Sequence, residues 1–588
     1  MRPKSRRSPP KSGVALRYIE IFRMKYLTVI ALVVSNAFAE TPAAFDSLVD
    51  RYFDDFFRYN PTQGTSAGFH QYDIQLEDYT LATIATRIRS LRHFLTEFER
   101  FPTAGMTPEA AADRDLVIHN IRSQLLELEN VRMWEKNPDN YSSGIAGSVF
   151  TIISRNFAPA SERLKSVIAR ESLAKTMLAE ARSNLRNPPR IYTEVALEQL
   201  PGNIAFFKND VPAAFKAVTD PALLDKFHQS NQAVIDALNE YQRFLKTDLL
   251  PKSKGDFRIG GENYSKKLLY DEMVDTPLDK LLEIGLQNLH QNQQALRETA
   301  AKIDPKRTPR EILETLDKDH PSTDRLLQTF GDVLGGLRDF IVQHQIVTIP
   351  AMTPPIVEET PPFARALTTA SMDTPGPYEK VAKEAFFNVT LPERDWSRER
   401  VEEHLQSFSR GTVISTAIHE VYPGHYTQFL WVQRAPSKVR KLIGASSNAE
   451  GWAHYTEQMM LDQGYGNGDL KLRMGQLQDA LLRNARYIVG IEMHTGKMTF
   501  EQGVDFFVKE GYQTHALALV ETKRGASDPT YLYYTLGKLQ IMKLREDYRK
   551  LRGANFSIFD FHNQFLAQGF PPIKIIRRAM LGNDSPVL

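Results

Sequence analysis

Residues 81–101 read LATIATRIRSLRHFLTEFERF, and the spacing of their apolar side chains decides the fold class. Leu81, Ile84, Ile88, Leu91, Leu95 and Phe98 recur every three or four positions, the period of one face of an α-helix. The stretches on either side read alike. Residues 44–59 place Leu48, Phe53, Phe56 and Phe57 on a helical face, and residues 113–133 carry Leu116, Ile118, Ile121, Leu125, Leu126 and Leu128. Further along, Asp220-Pro221 and Thr276-Pro277-Leu278-Asp279 read as helix starts, a capping side chain followed by Pro at the first helical position. Asp279 falls in the first turn, where a negative charge suits the helix dipole. Thr499-Phe500-Glu501-Gln502 has the spacing of a capping box.

Strand signals are few. Residues 257–260, 347–349 and 386–391 are short candidates, and the last alternates apolar and polar positions. It is expected to form a sheet edge beside a groove, with Asn388 as a candidate substrate-binding residue. The stretch Thr348 to Tyr378 holds seven prolines and is expected to be a loop. The expected fold is therefore mainly α, with a small β-sheet, a helical N-terminal lobe over 40–250 and a catalytic lobe over 255–588. The proline-rich loop and the large helical lobe together suggest a deep, gated central cleft that admits short peptides.

Apolar residues make up 42% and charged residues 24% of the chain, which excludes a disordered or collagen-like protein. Residues 1–39 are different in kind. Met24 and Lys25 precede an apolar run from Tyr26 to Val34, which is too short to span a bilayer, and Ala37-Phe38-Ala39 follows. This is the pattern of a secretory signal peptide with its start at Met24 and cleavage after Ala39, and it predicts a periplasmic or secreted protein with no later membrane span. The segment 1–39 carries eight Lys/Arg and one acid, a net of +7 in a chain of net +2, so residues 40–588 carry −5. A mildly acidic surface does not point to nucleic acid as a partner. The absence of cysteine excludes thiolate metal sites, disulfides and cysteine nucleophiles, and leaves no thiol for a lipid anchor. Any metal must be held by His and carboxylate.

Such a set stands at His419-Glu420-Val421-Tyr422-Pro423-Gly424-His425. Residues 411–422 read as a helix. The pattern H-E-x-x-H puts two imidazoles one turn apart, so that both reach one zinc with the Glu beside them as general base. Here Pro423 stands where the second His belongs, and His425 follows two residues later. Six residues along an ideal helix leave His425 about 120° around the axis from His419. Pro423 lacks an N–H and crowds the carbonyl of His419, so a kink is expected there. Gly424 opens backbone angles closed to other residues. Together they make a break that can return His425 to the metal. Glu450, in Glu450-Gly451-Trp452-Ala453-His454-Tyr455-Thr456-Glu457, is the next carboxylate in a suitable context, and residues 450, 454 and 457 share a helical face. His454 stands open as a donor behind the ligands, a replacement ligand or an electrophile facing the substrate. Trp452 is expected in the core.

At these residues the chain resembles the bacterial DUF885 family, whose members carry HExxPGH, matched by His419 to His425. They also carry EGWAxYxE, matched by Glu450, Gly451, Trp452, Ala453, Tyr455 and Glu457, and YxxGxxxxxxLR, matched by Tyr534, Gly537, Leu544 and Arg545. The family is similar to zinc metallopeptidases of the gluzincin kind. The resemblance implies one Zn2+ held by His419, His425 and Glu450, with Glu420 as base. Members often show an Arg-aromatic pair before a proline; here Arg524 remains and Gly525 takes the neighbour's place.

The expected activity is that of an exported zinc metallopeptidase cutting short peptides. Tyr534 is the first candidate donor to the developing oxyanion and His454 the second. Arg524 and Arg545 are candidates for a substrate carboxylate, which a guanidinium matches with two parallel hydrogen bonds. The alternatives are a zinc hydrolase of other amides or esters, and a non-catalytic helical peptide-binding protein. A serine hydrolase finds no support, since no G-x-S-x-G elbow occurs.

Overall fold

The computed structural model describes residues 43–361, 364–365 and 368–588. The expected signal peptide, residues 1–39, lies outside them. The chain is mainly α-helical with one small sheet.

The stretch 81–101 folds as its spacing predicts. A helix spans Leu81–Arg100, opened by Thr80, whose side chain accepts from the Thr83 backbone N–H. It buries Ile84, Leu91, Phe94 and Phe98 against the next helix, Pro108–Leu126. Each such side chain contributes about 1.5–3 kcal/mol on burial. Phe98 is fully buried, so Phe98→Ala is expected to cost about 3–5 kcal/mol. The helix at Asp220 starts as expected, with Asp220 capping Ala222 and Leu223 and Pro221 in the first turn. The capping box at Thr499 is also formed. At residue 276 the start differs: the helix spans Leu278–Ile303, Pro277 itself is the flanking residue, and Thr276 makes no cap.

The apolar side chains gather into several cores. One joins helices of residues 45–134 to Val439, Ile443 and Ile575. A second has all its buried members within residues 141–249, with Leu76 and Tyr79 packed against it. A third unites Leu126 and Val131 with residues from 259 to 536. The stretch 40–250 thus supplies two cores, the first of them shared with the C-terminal half.

The sheet corrects two expectations. Its strands are β1 (Ile356–Glu359), β2 (Ala370–Asp373) and β3 (Phe386–Val389), in the order β1-β3-β2. Both β1 and β2 fall inside the proline-rich stretch expected to be a loop; all seven prolines lie outside the strands, before β1, between β1 and β2, and after β2. β3 was expected at the edge and is the central strand, parallel to β1 and antiparallel to β2. Its Phe387 and Val389 are fully buried in the core that also holds the helix Arg410–Glu420, which explains the central place. Two other candidate strands do not form. Residues 257–259 lead into the helix Gly260–Glu272. At 347–349 the backbone is satisfied by side chains instead of a ladder: Thr348 N–H donates to Asn563 at 2.9 Å, and its carbonyl accepts from Trp431 at 3.0 Å.

Four elements frame the functional residues. They are a histidine helix (Arg410–Glu420) continued by His425–Val432, a glutamate helix (Ser446–Asp462), an arginine helix (Leu470–His494) and a tyrosine helix (Tyr533–Arg552).

Candidate metal centre

The histidine helix ends at Glu420, two residues short of the expected Tyr422. The chain then turns through Val421, Tyr422, Pro423 and Gly424, with a cis peptide before Pro423, and a new helix opens at His425. Gly424 donates its N–H to the Ile418 carbonyl at 3.0 Å. A Cβ at 424 would stand 1.8 Å from the His419 carbonyl oxygen, so only glycine fits this turn. Trp452, fully buried as expected, fixes the turn by donating its indole N–H to the Pro423 carbonyl at 2.9 Å.

The break brings the two histidines together. The rings of His419 and His425 lie 4.8 Å apart and nearly perpendicular, at 88°. Glu450 Oε2 stands 3.2 Å from Nε2 of His419 and 3.2 Å from Nε2 of His425. Two donor atoms each about 2.0–2.1 Å from a tetrahedral zinc stand about 3.3 Å apart. The separations therefore fit a shared ion. Glu420 also faces this point: atoms of His419, Glu420 and His425 lie within 4.8 Å of one another. Both carboxylates border the cluster, and Glu450 is the one that bridges the two imidazoles.

Behind the pair lies a buried charge network. Glu457, on the same face as Glu450, accepts from Nδ1 of His419 at 2.7 Å and from Nδ1 of His454 at 2.9 Å. It also pairs with Arg483 at 3.2 Å, and Arg483 pairs with Asp479 at 3.1 Å. With Nδ1 committed to Glu457, the remaining nitrogen of His419 is the one directed at Glu450. A carboxylate behind a ligating imidazole fixes its tautomer and orientation.

Charge follows this geometry. Burial opposes ionisation of Glu450, yet the adjacent His425 and His419 outweigh it and hold its carboxyl well below the usual range. Burial likewise opposes the charge on Glu457, and Arg483 and His454 overcome it. Burial disfavours charge on His419 too, but Glu450 and Glu457 raise it to about 9. The pocket thus holds ionised carboxylates that call for positive charge at the His419–Glu450 gap, supplied by a proton or by a cation. Two imidazole nitrogens and a carboxylate oxygen, without thiolate, are a donor set suited to zinc.

His454 is fully buried, and burial together with Lys538 depresses it to about 3. It lies on the far side of Glu457 from His419, as a neutral partner of that carboxylate. Of the three roles left open by the sequence, its hydrogen bond to Glu457 fits support behind the ligands.

Tyr534 lies on the other flank, its ring 6.2 Å from that of His419 and stacked with it. Its hydroxyl oxygen accepts from Arg524 Nη2 at 2.9 Å. The phenol proton is therefore left free to donate elsewhere. Arg486, held by Glu521 through two hydrogen bonds of 2.6 and 2.7 Å, lies 4.7 Å over the Tyr534 ring. Gly525 also finds its reason: an added Cβ there would stand 2.3 Å from the Tyr531 hydroxyl, whose ring fills the space.

Two further candidates lie elsewhere. Arg545 donates to the Tyr455 hydroxyl at 3.1 Å, which in turn contacts His562 at 2.9 Å; this is a packing role. Asn388 is buried at the centre of the sheet, opposite Glu358 and Ser371, and none of its described hydrogen bonds reaches the histidines. The sequence reading missed Arg483, Arg486, Glu521 and Lys538. Their signal was present as charged residues inside otherwise apolar helical runs, such as Asp479 and Arg483 one turn apart in DALLRNARYIVG.

A family model described as "Bacterial protein of unknown function (DUF885)" matches residues 61–580. The chain belongs to the DUF885 family. All three motifs quoted above lie inside the matched span. Among solved structures, a candidate lipoprotein of unknown function from Shewanella oneidensis is similar at 28% identity. It has a TM-score of 0.75, and the match covers 91% of this chain and 99% of that one. A candidate lipoprotein from Colwellia psychrerythraea shares the fold at 15% identity and TM-score 0.72, over 92% and 99% of the two chains. No protein with a curated description matches. No helix among the described residues is long and apolar enough to cross a membrane.

Proposed function

We propose that this DUF885 protein is an exported zinc-dependent hydrolase of the peptidase type. The observation that carries the reading is the placement of one Glu450 oxygen 3.2 Å from both imidazole nitrogens, with Glu420 beside them. His419, His425 and Glu450 would hold the ion. Bound there, zinc supplies a Lewis acid and lowers the pKa of a coordinated water to about 7.

The remaining chemistry belongs to the chain. Glu420 is free of hydrogen bonds to other described side chains and faces the cluster, so its carboxylate can take a proton from the attacking water and return it to the leaving amine. Tyr534 is buried, and burial raises its pKa, so it remains a phenol at neutral pH. Arg524 occupies the lone pair of its oxygen and orients the O–H as a donor to an oxyanion. Glu457 holds the His419 ring in place through Nδ1.

Short peptides are the proposed substrates. The pattern at residues 24–39 supports export with cleavage after Ala39. Both structural relatives are described as candidate lipoproteins, which agrees with an extracytoplasmic setting, although these 588 residues offer no cysteine for a lipid.

Glu420→Gln tests the reading. The variant is expected to bind metal and unfold at the wild-type temperature while losing nearly all peptide turnover. Full turnover in a folded, metal-loaded Glu420→Gln protein would remove Glu420 as the base.

A further inference from the structure

Three arginines surround the Tyr534 ring, and their partners differ. Arg483 is paired with Glu457 and Asp479. Arg486 is held by both oxygens of Glu521. Arg524 has only the Tyr534 hydroxyl at 2.9 Å, and its nearest carboxylate oxygen, on Asp528, stands off at 3.9 Å. That carboxylate is already engaged by the Tyr533 hydroxyl at 2.6 Å. Arg524 also keeps 26% of its side chain open to solvent, against 8% for Arg486 and 11% for Arg483. Its guanidinium therefore has unused donors on an accessible side, within one hydrogen bond of Tyr534.

We infer that Arg524 binds the C-terminal carboxylate of the substrate, so that the enzyme cuts one or two residues from the C-terminal end. This rests on the peptidase reading of the same site and adds the end preference. The reach bounds the length of the leaving group. If the Tyr534 hydroxyl donates to the scissile carbonyl oxygen, Arg524 sits one further hydrogen bond away. The carboxylate of the residue that follows the scissile bond lies about 4–5 Å from that carbonyl, and each additional residue adds about 3.3–3.6 Å in an extended chain. The hydrogen bond from that carbonyl to Tyr534, the 2.9 Å bond from Tyr534 to Arg524 and a third to the carboxylate span at most about 8 Å, so Arg524 reaches a carboxylate one or two residues beyond the scissile bond and no farther. The reaction is hydrolysis: the amide C–N bond breaks, water supplies the hydroxyl to the new C-terminus and the proton to the leaving amine.

Binding separates this inference from turnover. The full-length Glu420→Gln protein is titrated calorimetrically with acetyl-tetraalanine and with its C-terminal carboxamide. The free acid is expected to bind about 10- to 100-fold tighter. Arg524→Gln and Arg524→Lys in that background are expected to remove most of the difference between acid and amide. The acid–amide comparison needs no substitution at 524, so it stands even where those variants fold poorly. Equal affinity for acid and amide, or no binding of either, overturns the end preference. With otherwise wild-type protein, equal cleavage of acid and amide overturns it too while leaving the hydrolase reading intact. Acid-selective binding with no turnover by the wild-type protein supports carboxylate binding at Arg524 and overturns both the peptidase reading and the cleavage that rests on it.

Discussion

Glu457 is fully buried, and two histidines hang on it. Its carboxylate holds Nδ1 of His419 and Nδ1 of His454, so it acts as a positioning residue for the metal ligand. Glu457→Gln is expected to weaken metal binding about 10- to 100-fold, as measured by competition with a chromophoric chelator, with little change in secondary structure. Unchanged affinity would show that the His419 ring is held by packing alone. Tyr534→Phe keeps the ring between His419 and Arg486 and removes the hydroxyl; turnover is expected to fall about 100- to 1,000-fold with folding intact. At this scale much was legible in advance. The residue types and the Pro-Gly break pointed to His419 and His425, because a helix of unbroken geometry cannot bring them together. The role of His454 was not legible: position on a helical face says that it lies near Glu450, and only the packed structure shows Glu457 standing between it and the cluster.

Elements explain what single residues do not. The glutamate and tyrosine helices touch backbone to backbone where Gly451 meets Gly537: a Cβ on Gly537 would stand 1.7 Å from the Ser447 carbonyl, and one on Gly451 would stand 2.4 Å from the Gly537 Cα. Glu450 and Tyr534 flank this crossing, so the closeness of two helices sets the distance between ligand and donor. Gly537→Ala is expected to push the helices apart, costing at least about 1–3 kcal/mol in denaturant unfolding and lowering metal affinity with it. Loss of stability without loss of affinity would separate the crossing from the site. The glycines were visible as motif letters, but the sequence could not say that two of them meet, because the partner lies 86 positions away. The sheet escaped for a related reason. Its pairing is long-range, and the prolines that mask β1 and β2 lie in the connections.

A second link between elements is sensitive to pH. His70 bridges Asp73 at 3.0 Å and Glu379 at 2.9 Å and stacks on Phe157, tying the segment after helix Pro61–Ala67 to the loop beyond β2. Burial disfavours its charge, but hydrogen bonds to Asp73 and Glu379 outweigh it and raise its pKa above 6.5. A raised folded-state pKa means that the stabilisation is fully present below pH 6.5 and fades as pH rises through the folded value. His70→Gln is therefore expected to lower the melting temperature more at pH 5.5 than at pH 9. An equal drop at both would mean that the charge contributes nothing.

On the scale of the whole molecule, the helical class followed from periodicity alone, since long amphipathic runs are the strongest sequence signal. The distribution of cores did not, because Val439 and Ile575 join the N-terminal helices only through tertiary packing. Export belongs to this scale. Protein recovered from an extracytoplasmic fraction is expected to begin at Glu40 by intact mass; a mass that retains residues 24–39 would argue for an anchored form. The central claim is that the break after Glu420 delivers His425 to a metal shared with His419 and Glu450. Elemental mass spectrometry of residues 40–588, beside His425→Ala, tests it most directly. The account predicts about one zinc per wild-type chain and close to none in the variant. A wild-type protein that takes up no metal even with zinc supplied would contradict it.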